Sequence, residues 1–252
     1  MKPAVTIVGL GLVGGSLARA LARKGYRVTG VDASGTTRRA ARRSGACVRV
    51  TARLRDALAG TELLVLAAPP LANLRLLLSL ARETRAPRLI VTDVSSVKRR
   101  ICAAGARLRG LDFVGGHPMA GRERSGFAAS DPDLFRGRPW ILTPARSRLA
   151  SGRVRAMVRD VGALPVRLTP AQHDRAVAFV SHLPQLVAWA LADAARSGRA
   201  RAPLGRLAGP AFLDMTRIAS SPRGLWREIL EENRDELGRA LRTFRRSLMS
   251  SL

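Results

Sequence analysis

Apolar positions along the chain fall into two regimes. From Ala4 to Leu168 they gather in short runs, most of them closed by Gly, Pro, Asp or Ser, and beyond Pro170 they recur at steps of three and four. Ala4-Val5-Thr6-Ile7-Val8 and Arg27-Val28-Thr29-Gly30-Val31 predict strands, with a helix over Ser16 to Lys24 between them. Thr61 to Ala68 closes on Pro69-Pro70 and Arg88 to Thr92 closes on Asp93, the pattern of parallel strands buried on both faces. Leu111 to Val114, Trp140 to Pro144 and Val161 to Leu168 supply further strands. Strand alternating with helix predicts an α/β fold, a Rossmann-type doubly wound parallel sheet over residues 1–168. Pro170 suits a first helical turn, and the alanine-rich and leucine-rich stretches after it predict an all-helical C-terminal domain over 169–252. In its last segment Leu230, Asn233, Leu237, Leu241, Phe244 and Leu248 form one stripe, suited to packing within the chain or to a dimer seam.

The first strand runs straight into Gly9-Leu10-Gly11-Leu12-Val13-Gly14, which opens the first helix. Strand, glycine turn and helix together form a dinucleotide fingerprint: Gly9 permits the turn, Gly11 lets backbone approach a pyrophosphate, and Gly14 lets helix sit close to strand. Leu12 and Val13 belong to the same loop, whose helix N-terminus favours an anion. The second strand ends on Asp32, placed to accept hydrogen bonds from a ribose diol, which favours NAD. Ser34, Thr36, Arg38 and Arg39 follow closely and keep NADP open. Ligands of such sheets lie beyond the strand carboxyl ends, where Pro69, Ser95, Ser96 and His117 fall.

The charge of +26 raises nucleic acid or an anionic membrane as partners. Its distribution argues against both: lysines are only Lys2, Lys24 and Lys98, and the arginines are scattered through every segment. Aromatic residues are 4% of the chain, too few for stacking platforms, so no specific nucleic acid is expected. Cys47 and Cys102 form neither a disulfide frame nor a metal pattern, so no metal is expected and a reducing compartment is the default. No run is read as reaching the ~18 to 20 apolar residues of a membrane span, and Met1-Lys2-Pro3 enters a strand without a signal peptide. A soluble cytoplasmic protein follows as the expectation.

His117 stands in Gly115-Gly-His-Pro-Met-Ala-Gly121 at the end of an apolar β-run, and an imidazole there can move a proton near neutral pH. This block, with Gly9 to Ser16, Asp93-Val-Ser-Ser-Val-Lys98, Ser181-His-Leu-Pro184, Asp214-Met-Thr-Arg-Ile-Ala219 and Trp226, resembles the prephenate and arogenate dehydrogenase family over nearly the whole chain. The resemblance implies NAD-linked oxidative decarboxylation in tyrosine biosynthesis, and a homodimer built on the helical domain. His117 then takes the proton of the substrate hydroxyl, and Ser96 bridges hydroxyl, imidazole and nicotinamide, unless Ser95 or Ser96 merely caps the next helix. Arg217 pairs with a substrate carboxylate, oriented by Asp214 three residues back. His182 reaches the substrate from the helical domain and Trp226 lines the same cleft; the bland readings are a helix-interface hydrogen bond beside a proline kink and simple core packing. His173, near the domain junction, reads as structural.

One position departs from the family pattern. Arg122 stands where a small hydroxyl residue is usual, followed by Glu123. Arg122 would favour the keto acid prephenate and Glu123 the ammonium of arogenate, unless the two pair with each other or with solvent. With no mutase segment before Met1 and no regulatory domain after Leu252, fused control by tyrosine is not expected. Two other readings compete: a hydroxy-acid dehydrogenase with a catalytic lysine in its helical domain, where this chain has none, and a nucleotide sensor or nucleic-acid binder built on a retired enzyme.

Overall fold

The computed structural model describes residues 2–83, 89–122, 124–197 and 207–251. Two compact units divide after His173, inside the helix α6 (Pro170–Val177). In the first unit, β1 (Ala4–Val8), β2 (Arg27–Val31), β3 (Arg49–Thr51), β4 (Leu63–Leu66), β5 (Ile90–Asp93) and β6 (Asp112–Val114) pair in parallel in the order β3-β2-β1-β4-β5-β6. This is the doubly wound sheet expected, with β1 and β4 flanking the point where strand order reverses.

Burial on both faces accounts for the continuous apolar runs. In β4, Leu63 and Val65 join the core on one face and Leu64 and Leu66 join the core on the other. The helices α1 (Leu12–Arg23) and α5 (Arg148–Asp160) give Leu17, Leu21, Val154 and Met157 to the first core. The second takes Leu77 and Leu80 from α3 (Pro70–Glu83) and Ile101 from α4 (Arg99–Ala106). The helix α2 (Gly35–Arg43), very polar, buries only Ala41.

The strands expected near 140 and 164 do not extend this sheet. Chain continuing from β6 through Gly115 becomes β7 (Gly116–Pro118), which pairs antiparallel with β8 (Pro139–Leu142), itself parallel to β9 (Leu164–Arg167). Glycine at 115 and 116 makes the switch possible. A Cβ on Gly115 would lie 2.7 Å from Thr143 Oγ1, and one on Gly116 2.6 Å from the Asp93 carbonyl oxygen. The edge strand β9 tolerates Pro165, which a central strand would not.

The second unit is helical. After α6 come a π-turn (Ala178–His182) and α7 (Leu183–Ser197), then helices Pro210–Thr216, Arg223–Glu232 and Arg234–Met249, with a 3-10 turn at Arg217–Ser220. Pro184 has no N–H to continue an i→i−4 ladder, and the π-turn just ahead of it absorbs the mismatch. The apolar stripe is not one helix: Asn233, at φ −118°, separates two. Leu237 and Phe244 pack with Ala178, Leu183 and Ala240, whereas Leu241 and Leu248 stay exposed.

By length and composition alone the run Pro170–Ser197 could cross a membrane, contrary to the expectation that no stretch could. It buries His173, Asp174, His182 and Gln185, and Gln185 donates to the Ile218 carbonyl at 2.9 Å. Lipid penalises such groups, so the run reads as a core helix.

Candidate active site

The glycine loop closes tightly between β1 and α1. Gly9 has φ +90°, and a Cβ there would lie 2.6 Å from the Ala67 carbonyl oxygen. A Cβ on Gly14 would overlap the Gly9 carbonyl oxygen itself. Gly11 caps α1 without a side chain, so no side-chain oxygen competes with an anion for the first-turn amides of Leu12 and Val13. These features fit a dinucleotide pyrophosphate.

Asp32 closes the cradle. Its carboxylate accepts from Leu10 N–H and from Ser34 N–H, each at 2.8 Å, which fixes it beside the loop with lone pairs left for a diol. The groups that kept NADP open are engaged elsewhere. Arg38 donates to the carbonyls of Asp32 and Ala33 at 2.8 and 2.7 Å, Ser34 caps α2, and Arg39 donates to Thr36 at 3.2 Å. Geometry therefore favours the unphosphorylated ribose.

A buried polar chain ties the strand ends together. Asn73, fully buried at the start of α3, accepts from Ala68 N–H at 3.0 Å and donates to the Leu66 carbonyl at 3.1 Å and to Ser95 Oγ at 3.0 Å. Ser95 N–H in turn donates to Asp93 at 2.9 Å. Asp93 forms a fully buried ion pair with Lys98. Both members hold the same residue: Asp93 accepts from Gly116 N–H at 3.0 Å, and Lys98 donates to the Gly116 carbonyl at 2.8 Å. The next residue is His117. The loops after β4 and β5 and the strand β7 are thus joined by direct hydrogen bonds, and Gly9 packs on the same Ala67-Ala68 segment.

His117 is 8% exposed, and its Nδ1 lies 2.8 Å from His173 Nε2. One of these nitrogens donates and the other accepts. If His117 Nδ1–H is the donor, its Nε2 lone pair is left as a base, and His173 orients the ring as a triad's third member would. His173, read as structural from sequence, is the hydrogen-bond partner of the His117 ring.

Other expected residues of this unit divide. Ser96 is half-buried in the bend before α4, and α4 has no side-chain cap, so neither Ser95 nor Ser96 serves as one. Pro69 is exposed at the α3 entrance, its carbonyl accepting from Asn73 N–H at 2.9 Å. Arg122 pairs with Asp131 at 2.5 Å, a partner not anticipated. The Asp133 N–H, followed by Arg122, holds the Asp131 carboxyl below the usual carboxylate range against the opposing effect of burial. Glu123 lies outside the described residues.

In the helical unit His182 is fully buried in the π-turn. Asn233 Nδ2 donates to the Asp174 carbonyl at 2.7 Å and lies 3.1 Å from His182 Nδ1. The amide nitrogen can only donate, so Nδ1 accepts and the His182 proton sits on Nε2. His182 is thereby set as a donor rather than a base. Trp226 stands edge-on to His182 at 6.2 Å and to Trp189 at 6.5 Å between ring centroids. Arg217 is exposed at the start of the 3-10 turn, and Asp214 is exposed on the helix before it. No ion pair joins the two among the described residues, so the orienting role that sequence gave Asp214 has no contact behind it. Asn73, Asp93, Lys98 and Asn233 received no role from sequence, though Asp93 and Lys98 bracket a block that was singled out.

The nucleotide-binding domain described for prephenate dehydrogenase matches residues 17–178, and the dimerization domain matches residues 169–251. A prephenate dehydrogenase of Bacillus subtilis is 33% identical over 247 residues, covering 94% of this chain and 66% of that protein. The chain thus spans about two thirds of the length of that relative. A crystal structure of prephenate dehydrogenase from A. aeolicus with hydroxyphenyl propionate and NAD+ superposes with a TM-score of 0.91 at 31% identity, covering 99% of this chain and 89% of that one. An arogenate dehydrogenase from Synechocystis superposes with a TM-score of 0.82 at 30% identity, covering 98% and 90%.

Proposed function

From the premise that the chain belongs to the prephenate dehydrogenase family, we propose that it oxidatively decarboxylates prephenate or arogenate with NAD, as a cytoplasmic homodimer in tyrosine biosynthesis. The observation that carries this reading is His117 held through Gly116 by the Asp93–Lys98 pair and oriented by His173. NAD, when bound in the glycine cradle, supplies the hydride acceptor. His117 Nε2 takes the proton of the ring hydroxyl as the carbon bearing that hydroxyl gives up its hydrogen as hydride, and the ring carboxylate leaves as CO₂ with its bonding pair completing the aromatic ring. Ser96 holds the hydroxyl toward the imidazole, and the dry, fixed backbone around Gly116 keeps the base in register.

Arg217 pairs with a carboxylate of the substrate, and His182, a donor at Nε2, hydrogen-bonds another oxygen of it. Asp214 and Trp226 border Arg217 and His182 in their own unit. Arg122 and Glu123 remain the residues that would distinguish the keto acid from the amino acid side chain, Arg122 only on release from Asp131. Arg217→Lys is expected to raise KM roughly tenfold with kcat little changed, the scale of one charge-assisted hydrogen bond. An unchanged KM would remove the carboxylate role.

The decisive assay is turnover of prephenate and of arogenate, each with NAD and with NADP. NADH from at least one substrate is expected, with NADP the poorer cofactor. No reduced cofactor from any pairing would overturn the proposal, and a monomer at micromolar concentration in sedimentation would overturn the dimer.

A further inference from the structure

A cavity of about 630 Å³ lies between α5, the end of β8 and β9, and five arginines line it: Arg146, Arg148, Arg155, Arg159 and Arg167. No acidic residue lines it, and none of the five guanidinium groups meets a carboxylate among the described residues. The same helix shows the contrast. Arg153 points elsewhere and pairs with Glu62 at 2.9 Å, whereas Arg148, Gly152, Arg155 and Arg159 follow at i, i+4, i+7 and i+11 along one face that opens on the cavity. Gly152 supplies the room: a Cβ built there meets nothing within 4 Å.

Five like charges around one concavity raise a positive potential that a protein surface ordinarily offsets with acids. Planar guanidinium forks match phosphate oxygens two at a time. The volume is that of a small-molecule site. No aromatic residue is among the lining, so bases of a nucleic acid would find nothing to stack on. The lining shares no residue with the glycine loop or with Asp32. We propose that this cavity is a second anion site, distinct from the cofactor cradle, that takes a small polyphosphorylated ligand of two or three phosphate groups.

Titration of the NAD-saturated protein with tripolyphosphate at 0.15 M salt tests this, because NAD occupies the other anion site. Saturable one-to-one binding is expected. R155Q/R167Q should weaken it at least tenfold, and G152E, which adds a carboxylate at a position whose Cβ meets nothing within 4 Å, should do the same while the protein stays folded. R27Q/R49Q removes equal charge from exposed positions outside the cavity and should change affinity less than twofold. Absence of saturable binding would overturn the proposal. Equal weakening by R27Q/R49Q would do so too, since diffuse charge would then be the cause. Tighter binding of duplex DNA, lost on the same cavity variants and steep in salt, would replace a small-molecule site with a nucleic-acid surface.

Discussion

His117→Asn is expected to lower kcat by about 10² or more, the usual scale of a lost general base, and to leave the affinity for NAD within about twofold. Asparagine is the informative replacement because its amide sits near the position of imidazole Nδ1. It can keep a hydrogen bond to His173, which now lies 2.8 Å from that nitrogen. What it lacks is a group that accepts a proton near neutral pH. The cofactor should bind normally, since Gly9 and Asp32, just past the ends of β1 and β2, and Gly14 in α1 are untouched. Steady-state rates with the favoured substrate, set beside NAD titration of the same preparation, check both halves. Retained kcat would remove His117 as the base. Loss of NAD affinity in parallel would mean that the change had disturbed the whole strand edge instead.

Much of the frame of this site was legible in the chain because it depends on local, periodic signals. The run at Leu63–Leu66 is apolar on both faces, as a covered parallel strand requires, and Ala4–Val8 and Arg27–Val31 are short β-branched runs closed by turn residues. The glycine loop was legible for a similar reason: contact with the Ala67 carbonyl and with Gly9 itself excludes a side chain. The strand β7 was not. Gly116-His117-Pro118 has no alternation to read, and its pairing with Pro139–Leu142 is a long-range fact. Asn73 at a helix start looks like ordinary turn chemistry, and its service to Ser95 appears only when β4 and β5 lie side by side. Asn233 fell into an apolar stripe because its spacing fitted a helix, yet the helix breaks there to present the amide to His182.

Lys98 was the least legible residue of all, since lysine is rarely buried without a partner, and replacing it by methionine is expected to be strongly destabilising. Met fills nearly the same volume, so cavity formation contributes little. Charge decides the outcome. Asp93 would stay fully buried beside two backbone N–H donors, with its cation gone. Removing one partner of a buried pair costs about 3–5 kcal/mol, and at about 2–4 °C per kcal/mol for a chain of this size the thermal midpoint should fall by roughly ten degrees. The Gly116 carbonyl also loses the donor at 2.8 Å. For that reason kcat of the protein that remains folded should fall as well, at temperatures well below the midpoint, because the peptide carrying His117 is no longer held from both sides. D93N/K98M separates charge from shape: with no net charge buried, it should recover part of the lost stability, a coupling that a double-mutant cycle measures. It should not recover kcat, since the Gly116 carbonyl still lacks its ammonium. If K98M melts within two degrees of the parent, or if the double variant restores turnover along with stability, the ion pair has no part in placing the base.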